Sequence, residues 1–239
     1  MAFAPISFDV QRKNASAQSV QAYHKQAVNF EDLLTPEQKL KILERDKYSC
    51  QCCGFRSEKY QKIHAKNGNQ NDHASDNLMT LCIFCHQCFH LDAVATMKSG
   101  VLIWLPEVSQ AVLNNVARAL YVARISQGDV ATQAKKTIDS LMARREEAKA
   151  RLGTDDPAVL ASILSDYLEE RHYAERMRKL QGVRLMPLDR RIIKEGDYEF
   201  NQYPQINAYW RSKDGAFGGL MPNKWLSRYK ELFHDVKAA

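Results

Sequence analysis

The stretch Leu81–His90, LCIFCHQCFH, places three cysteines and two histidines within ten residues. An upstream stretch, Tyr48–Phe55 (YSCQCCGF), is also rich in cysteine. Together they contain two CxxC pairs, Cys50 with Cys53 and Cys82 with Cys85. Two such pairs supply four thiolates, which is the ligand set of a tetrahedral structural zinc ion. The sequence therefore predicts one structural Zn²⁺ held by these four cysteines.

Two further cysteines leave the register of the site open. Cys88 makes another CxxC spacing with Cys85, and Cys52 is the neighbour of Cys53. If a helix begins near Cys85, Cys88 lies one turn further on and packs inward. We therefore predict that Cys52 and Cys88 are not ligands. A zinc ion with four protein ligands has no open position for water, so it is expected to stabilise the fold and not to hydrolyse a substrate.

The composition is that of a globular protein with a substantial core. The 239 residues are 45% hydrophobic and 26% charged, with a formal net charge of +6, which permits contact with nucleic acid without arguing for it. The first residues, MAFAPISFDVQRKN, lack the pattern of a secretory signal, and no apolar run approaches the length of a membrane span. We expect a cytoplasmic protein without direct membrane insertion, whose cysteines bind metal and do not form disulfides.

Four polar residues in this region follow a second pattern: His64, Asn77, His86 and His90. With these residues, the segment from Cys50 to His90 resembles the HNH, or ββα-metal, nuclease finger. The resemblance implies an α+β fold, with an HNH-like (ββα-metal, treble-clef-type) zinc core and a helical C-terminal half. The alternative function that it implies is a metal-dependent nuclease acting on DNA. The residues that would form its centre are His64, Asn77, His86 and His90.

The hairpin position of this pattern is incomplete. The family has two consecutive functional side chains there, a metal ligand and a base, whereas this chain has Ile63-His64-Ala65. If His64 is the base, Ile63 replaces the ligand; if His64 is the ligand, Ala65 replaces the base. A general base contributes roughly 10²–10⁴-fold to a reaction rate. We therefore predict that the protein is not an enzyme and has no catalytic residues.

Four stretches form a narrower pattern that covers more of the chain, from about residue 38 to residue 126. They are Arg45–Phe55 (RDKYSCQCCGF), Asp76–Thr80 (DNLMT), Cys82–Phe89 (CIFCHQCF) and Gly100–Glu107 (GVLIWLPE). In these motifs the chain resembles the IcmJ/DotN proteins of Dot/Icm (type IVB) secretion systems.

The second resemblance also implies a function. It indicates a non-catalytic zinc-containing subunit of a secretion coupling complex. Such a subunit binds the cytoplasmic C-terminal tail of the coupling ATPase (DotL-like), contacts other subunits and helps to recruit effectors. It would lie in the cytoplasm, peripheral to the inner membrane through the complex, and nucleic acid is not expected as a partner.

The chain is expected to have four parts. An N-terminal arm (1–34) carries an edge strand at Ile6–Val10, and the HNH-like zinc domain spans 35–126. A helical region spans 127–197, and an aromatic-rich tail (198–239) ends in a short helix after Asn223. Nine aromatic residues lie in that tail. They either pack back on the core or anchor a partner protein.

Local signals place the elements within these parts. Thr35 and Gln38 predict a capping box, Ser109 a helix N-cap, and Gly100–Leu105 a strand. A hairpin is expected between Glu58 and Asp76. Further helices are expected from Cys85 to Met97, from Asp129 to about Gly153, from Asp156, and from Glu169 to Leu180. The helix after Ser109 is expected to bury the stripe Val112, Leu113, Val116, Leu120 and Ala123.

Overall fold

A computed structural model describes residues 3–10, 33–69 and 71–237. The architecture is α+β, as the sequence predicts. In chain order the elements are α1 (Pro36–Arg45), β1 (Gln61–Ala65), β2 (Leu78–Cys82), α2 (Ile83–His86), a 3-10 turn (Gln87–Phe89), α3 (Leu91–Met97), β3 (Gly100–Trp104), α4 (Gln110–Arg124), α5 (Asp129–Ala143), α6 (Arg145–Leu152), α7 (Pro157–Ser162), a π-helical turn (Ile163–Tyr167), α8 (Glu170–Ala174), α9 (Arg176–Lys179), β4 (Val183–Pro187), β5 (Ile192–Glu195), β6 (Tyr198–Asn201), α10 (Tyr203–Arg211), a second 3-10 turn (Pro222–Lys224) and α11 (Trp225–Lys237).

The strands pair as antiparallel couples. In the first hairpin β1 pairs with β2, from Ala65 opposite Leu78 to Gln61 opposite Cys82. This hairpin was expected to end by Asp76, but its second strand begins only at Leu78, because the polar stretch between the strands forms the loop. Strand β3 confirms the strand that the sequence predicts from Gly100. It pairs with β4, which is far away in the sequence. The third couple is β5 with β6.

The predicted helix starts are confirmed by their caps. In α1 the Gln38 N–H donates to Thr35 Oγ1 at 3.2 Å and the Thr35 N–H donates to Gln38 Oε1 at 2.8 Å, which completes the capping box. Ser109 accepts from the Val112 N–H at the start of α4. Asp156 accepts from the Ala158 N–H at the start of α7. Each cap satisfies a backbone donor that has no partner inside its own helix.

Three predicted helices are broken. The helix expected from Cys85 to Met97 begins at Ile83, changes to a 3-10 turn after His86 and restarts at Leu91. The one expected from Asp129 to Gly153 is interrupted at Arg144, and the one expected from Glu169 to Leu180 at Glu175. The sequence contains no proline or glycine at these points, so local propensity did not reveal the breaks.

The predicted apolar stripe of α4 is wrong at Val112 and Val116, whose side chains are 46% and 41% exposed. The buried face carries three polar residues instead, at positions four apart: Gln110, Asn114 and Arg118. Hydrophobic periodicity cannot identify such a face, because its buried side chains include polar ones that pair with polar groups of other elements.

The predicted edge strand at Ile6–Val10 is also wrong, since residues 3–10 form no strand. Their backbone bonds go to separate partners: the Asp9 N–H donates to the Cys88 carbonyl, and the Leu91 N–H donates to the Asp9 carbonyl. Within the span expected to be helical, β4 and most of the β5–β6 hairpin are additional strands. The tail contains α10, which the sequence did not predict, and the final helix after Asn223 is confirmed as α11.

Candidate metal centre

The first cysteine pair lies in a tight turn after α1. The Cys50 N–H donates to the Phe55 carbonyl, and the Gly54 N–H donates back to the Cys50 carbonyl, both at 2.9 Å. Gly54 has a φ of +75°, a conformation that glycine adopts without a steric penalty. The Gln51 N–H donates to the Thr80 carbonyl of β2. That bond holds the turn beside the strand that ends at the second pair.

The second pair is fixed by the start of α2. Cys82 is the last residue of β2 and also the N-cap of α2, and its Sγ accepts from the Cys85 N–H at 3.4 Å. This hydrogen bond orients the Cys82 side chain and also fixes the position of Cys85, three residues later. The two sulfurs of the pair therefore lie on one side of the turn.

The structure brings all four predicted cysteines together. The sulfur atoms of Cys50, Cys53, Cys82 and Cys85 lie within 4.8 Å of one another, and every one of the four residues is buried. A tetrahedral zinc with Zn–S bonds of 2.3 Å separates its sulfurs by about 3.8 Å. The distance from Cys53 Sγ to Cys82 Sγ is 3.6 Å, so the set fits a metal ion of this size.

Two side chains of α4 donate to the sulfurs. Arg118, which is 1% exposed, donates from a terminal nitrogen to Cys82 Sγ at 3.1 Å. Asn114 donates from Nδ2 to Cys85 Sγ at 3.3 Å. The other terminal nitrogen of Arg118 donates to Asn115, and the guanidinium lies 3.6 Å from the centroid of the Phe55 ring.

The buried Arg118 charge has a consequence for the cysteines. A buried guanidinium needs an anionic partner, and its hydrogen bonds within the described ranges go to a sulfur and an amide. Four thiolates around a divalent ion carry a net charge of −2, which Arg118 would partly neutralise. Hydrogen bonds to metal-bound ligands of this kind orient them and tune their affinity. Sequence reasoning missed both donors; the only available signal was polar residues four apart in a helix.

The cysteines influence one another's ionisation. Hydrogen bonds from neighbouring cysteines, with Cys52 first, hold the pKa of Cys50 well below its usual range. Hydrogen bonding to Cys50 raises the pKa of Cys53 and of Cys85. One thiolate thus forms readily, while the next ones are disfavoured beside it. A divalent cation at the centre of the four sulfurs would remove that penalty.

Cys52 and Cys88 lie outside the four. The Cys88 thiol donates to the Phe84 carbonyl at 3.4 Å, and burial raises its pKa. Cys52 is buried at 1% exposure, and hydrogen bonding to Cys50 raises its pKa. Both residues lie in the protein interior, which is consistent with packing roles.

Three histidines form a second cluster. One ring nitrogen from each of His64, His86 and His90 lies within 4.8 Å of the other two. His64 is in β1, His86 ends α2, and His90 lies at the break before α3. The rings of His86 and His90 stack with their centroids 4.3 Å apart, and the His64 ring meets both edge-on.

Burial keeps two of these imidazoles neutral. Desolvation, assisted by the charge of His90, lowers the pKa of His64 to about 4. Desolvation also lowers the pKa of the His86 side chain well below its usual range. A neutral imidazole has a free lone pair, which is the form that binds a metal.

The remaining residues of the predicted nuclease centre are placed differently. Asn77 is buried and holds the hairpin loop: its Oδ1 accepts from the Asn67 N–H and its Nδ2 donates to the Asp72 carbonyl. Ile63 and Ala65, on either side of His64, pack in a small core with Ile42 and Leu78. The structure thus assembles the three histidines, while Asn77 serves the loop and the flanks of His64 are apolar.

The basic residues near this region are engaged locally. Lys66 Nζ donates to the Asp76 carbonyl, and Lys59 lies over the Tyr209 ring. On the helices, Lys149 pairs with Glu146 and Arg178 with Glu175. Local pairs of this kind are typical of a solvated protein surface and not of a basic groove for nucleic acid.

In the described part of the chain no helix has the length and apolarity required to cross a bilayer.

The aromatic tail divides between core and surface. Tyr203 and Trp210 of α10 are 3% and 1% exposed and pack edge-on against each other and near Phe84, which confirms the packing interpretation for these residues. Tyr198 and Tyr229 are 80% and 59% exposed. The exposed pair is still compatible with the alternative interpretation, contact with a partner.

Comparison with known proteins supplies a relative. No protein-family model matches the chain. The chain is 33% identical over 160 residues to the type 4 apparatus protein DotN of Legionella pneumophila. The aligned region covers 65% of this chain and 74% of DotN. Similarity of this extent supports a shared fold, whereas function has to be argued from the site.

Proposed function

Since the chain belongs to the DotN family, we propose that it is a non-catalytic, zinc-containing subunit of a type IV secretion coupling complex of the Dot/Icm kind. In this proposal the four cysteines bind one structural Zn²⁺ in an HNH-like core. The subunit binds the cytoplasmic tail of the coupling ATPase and helps to recruit effectors. It lies in the cytoplasm, held at the inner membrane through the complex.

The incomplete hairpin position is the observation that supports a non-catalytic role: where the HNH pattern has two consecutive functional side chains, β1 has only His64, between Ile63 and Ala65. A hydrolytic site requires a general base that reaches the water it activates. The two neighbours of His64 along β1 are buried apolar side chains, and Asn77 is committed to the loop. The zinc site supplies folding energy with all four positions taken by protein.

An exposed apolar face in the helical half supports a protein partner. Val159, Ile163 and Tyr167 are four residues apart and are 44%, 39% and 79% exposed. Side chains at this spacing share one side of a helical segment. A groove in a partner can bind such a face through its apolar side chains. We propose this face, on α7 and the π-helical turn, as the contact for the ATPase tail.

A pull-down with the isolated ATPase tail tests the binding proposal. The unmodified chain should retain the tail, and the double variant Val159→Asp/Ile163→Asp should retain at least tenfold less. The matched control is Leu40→Asp, which changes a residue of 48% exposure in α1 and should bind normally. Equal retention by both variants would reject this face, and no retention by the unmodified chain would reject the partner.

The second candidate function is a metal-dependent nuclease, which the convergence of the three histidines favours. Plasmid DNA incubated with the protein and Mg²⁺, Mn²⁺ or Ni²⁺ distinguishes the two. We expect no nicking beyond that of the His64→Ala variant. Nicking that depends on His64 would overturn the non-catalytic proposal.

A further inference from the structure

A narrow crevice lies between the 3-10 turn after α2, the loop from β4 to β5 and the start of α10. Its exposed side carries Arg190 and Arg191, and its buried side carries Gln87 and Tyr203, which are 2% and 3% exposed. We propose that this crevice binds one carboxylate group, which belongs to a small free carboxylate or to an acidic side chain of a peptide. The site goes beyond the proposed function, because neither a structural zinc nor an apolar docking face requires it.

Two buried hydrogen-bond donors of the crevice have no acceptor among the described residues. They are Nε2 of Gln87 and the hydroxyl of Tyr203. The other end of the Gln87 amide is engaged, since its Oε1 accepts from the Ser99 hydroxyl at 3.1 Å. A buried donor without an acceptor destabilises a fold, so such groups are nearly always paired. Two of them in one crevice indicate a ligand that brings acceptor atoms.

Both groups are suited to donate to the same kind of atom. Burial raises the pKa of the Tyr203 hydroxyl well above its usual range, so this group keeps its proton at neutral pH. The amide nitrogen of Gln87 can only donate. An ionised carboxylate only accepts, through two oxygens, and therefore complements the two donors.

The charges around the crevice also favour an anion. Among the described residues that line it, two are arginines and none is acidic. The guanidinium of Arg191 is held in place, because its Nε donates to Gln202 Oε1 at 3.2 Å. Asp189, the carboxylate next to Arg190 in the sequence, pairs with Arg124 of α4. Arginine binds carboxylates through parallel charge-assisted hydrogen bonds, so the arginines would attract and orient the ligand.

The walls of the crevice favour a carboxylate over a phosphate. The rings of Phe84 and Tyr203 are parallel within 4°, with their centroids 6.4 Å apart, and both residues line the crevice together with Ile83. Flat apolar walls suit a planar group on a short aliphatic stem, whereas a tetrahedral phosphate has more oxygens that need donors. The space is only about 170 Å³. Entry therefore requires a lining side chain to rotate, which the exposed Arg190 can do.

NMR titration of the full chain, followed at the side-chain amide of Gln87, tests the proposal. The probes are acetate and N-acetylglutamate amide at constant ionic strength, with N-acetylglutamine amide as the uncharged match and inorganic phosphate as the competing anion. We expect saturable binding of a carboxylate probe. Tyr203→Phe should bind it about tenfold more weakly or worse, because one hydrogen bond to a charged group is lost. The control Tyr198→Phe changes a residue of 80% exposure and should bind normally.

Urea unfolding separates a ligand-binding hydroxyl from a structural one. Without a probe, Tyr203→Phe should unfold at the same urea concentration as the unmodified chain or at a higher one, because it removes a buried donor that has no acceptor. Unfolding at a clearly lower concentration would show that the hydroxyl has a structural partner, and would overturn the proposal.

The binding results distinguish the remaining outcomes. Binding of acetate alone supports a small free carboxylate as the ligand, and binding of the glutamate probe supports an acidic side chain. The proposal is overturned if no carboxylate probe binds saturably, or if Tyr203→Phe and Tyr198→Phe bind equally. It is also overturned if phosphate binds more tightly than both carboxylates, or if the glutamine probe binds as well as the glutamate probe.

Discussion

Replacing Arg118 with methionine tests whether the cysteine cluster holds a charged metal centre. The methionine keeps much of the side-chain length and can lie against the same aromatic rings, but it removes the positive charge. The hydrogen bond to Cys82 Sγ at 3.1 Å and the cation–π contact with Phe55 are lost together. If the sulfurs are metal-bound thiolates, their net negative charge loses its buried counter-ion.

The expected size of the effect follows from those contacts. A hydrogen bond to a charged group contributes about 1.5–3 kcal/mol, and removing one partner of a buried ion pair costs about 3–5 kcal/mol. Because the methionine also avoids the desolvation of a guanidinium, we expect the free energy of unfolding to fall by about 3 kcal/mol. Loss of a group that bonds a metal ligand lowers metal affinity by about 10–100-fold.

Urea unfolding and zinc competition against a chelator of known affinity measure the two quantities. The matched control is Arg124→Met on the same helix. Arg124 pairs with Asp189 where the side chains are 30% and 44% exposed, so its loss should cost less than about 1 kcal/mol and leave zinc affinity unchanged. If Arg118→Met matched Arg124→Met in both measurements, the reasoning about a charged centre would be refuted.

Three further substitutions have expected outcomes. Thr35→Ala removes the capping box of α1 and should lower the free energy of unfolding by about 1 kcal/mol in urea titrations; no change would show that the cap is dispensable. Gly182→Ala should cost more than about 1 kcal/mol, because Gly182 has a φ of +92° and an added Cβ would lie 2.5 Å from the Trp104 ring; a neutral result would contradict both the backbone strain and the clash. Trp210→Ala should cost about 3–5 kcal/mol by the same titration, since the side chain is 1% exposed; a loss below about 1 kcal/mol would contradict its place in the core.

Features that depend on a few neighbouring residues could be predicted. The capping box at Thr35 and the caps at Ser109 and Asp156 are bonds within two or three residues, so the sequence contains all that they require. The two CxxC pairs belong to the same class, because each is set by a single turn. The breaks at His90, Arg144 and Glu175 were missed, since no local residue type marks them.

Features that depend on remote partners could not be predicted in this way. β4 was missed because its partner strand is β3, and the helices α4 to α9 separate the two strands in the sequence. The face of α4 was misassigned because its buried side chains are polar: Gln110 bonds the Leu185 backbone of β4, and Asn114 and Arg118 bond cysteine sulfurs. A hydrophobic pattern carries no information about such pairs.

The sequence by itself determined the four cysteines, the capped helices and the apolar flanks of His64, because each is a property of residue type at short spacing. The tertiary structure decided that four sulfurs converge beneath a buried arginine and that three histidines from a strand and a broken helix meet. The physical reason is that packing sets these distances. A thiolate, a guanidinium or an imidazole acquires its partner only where separate elements bury it beside another polar group.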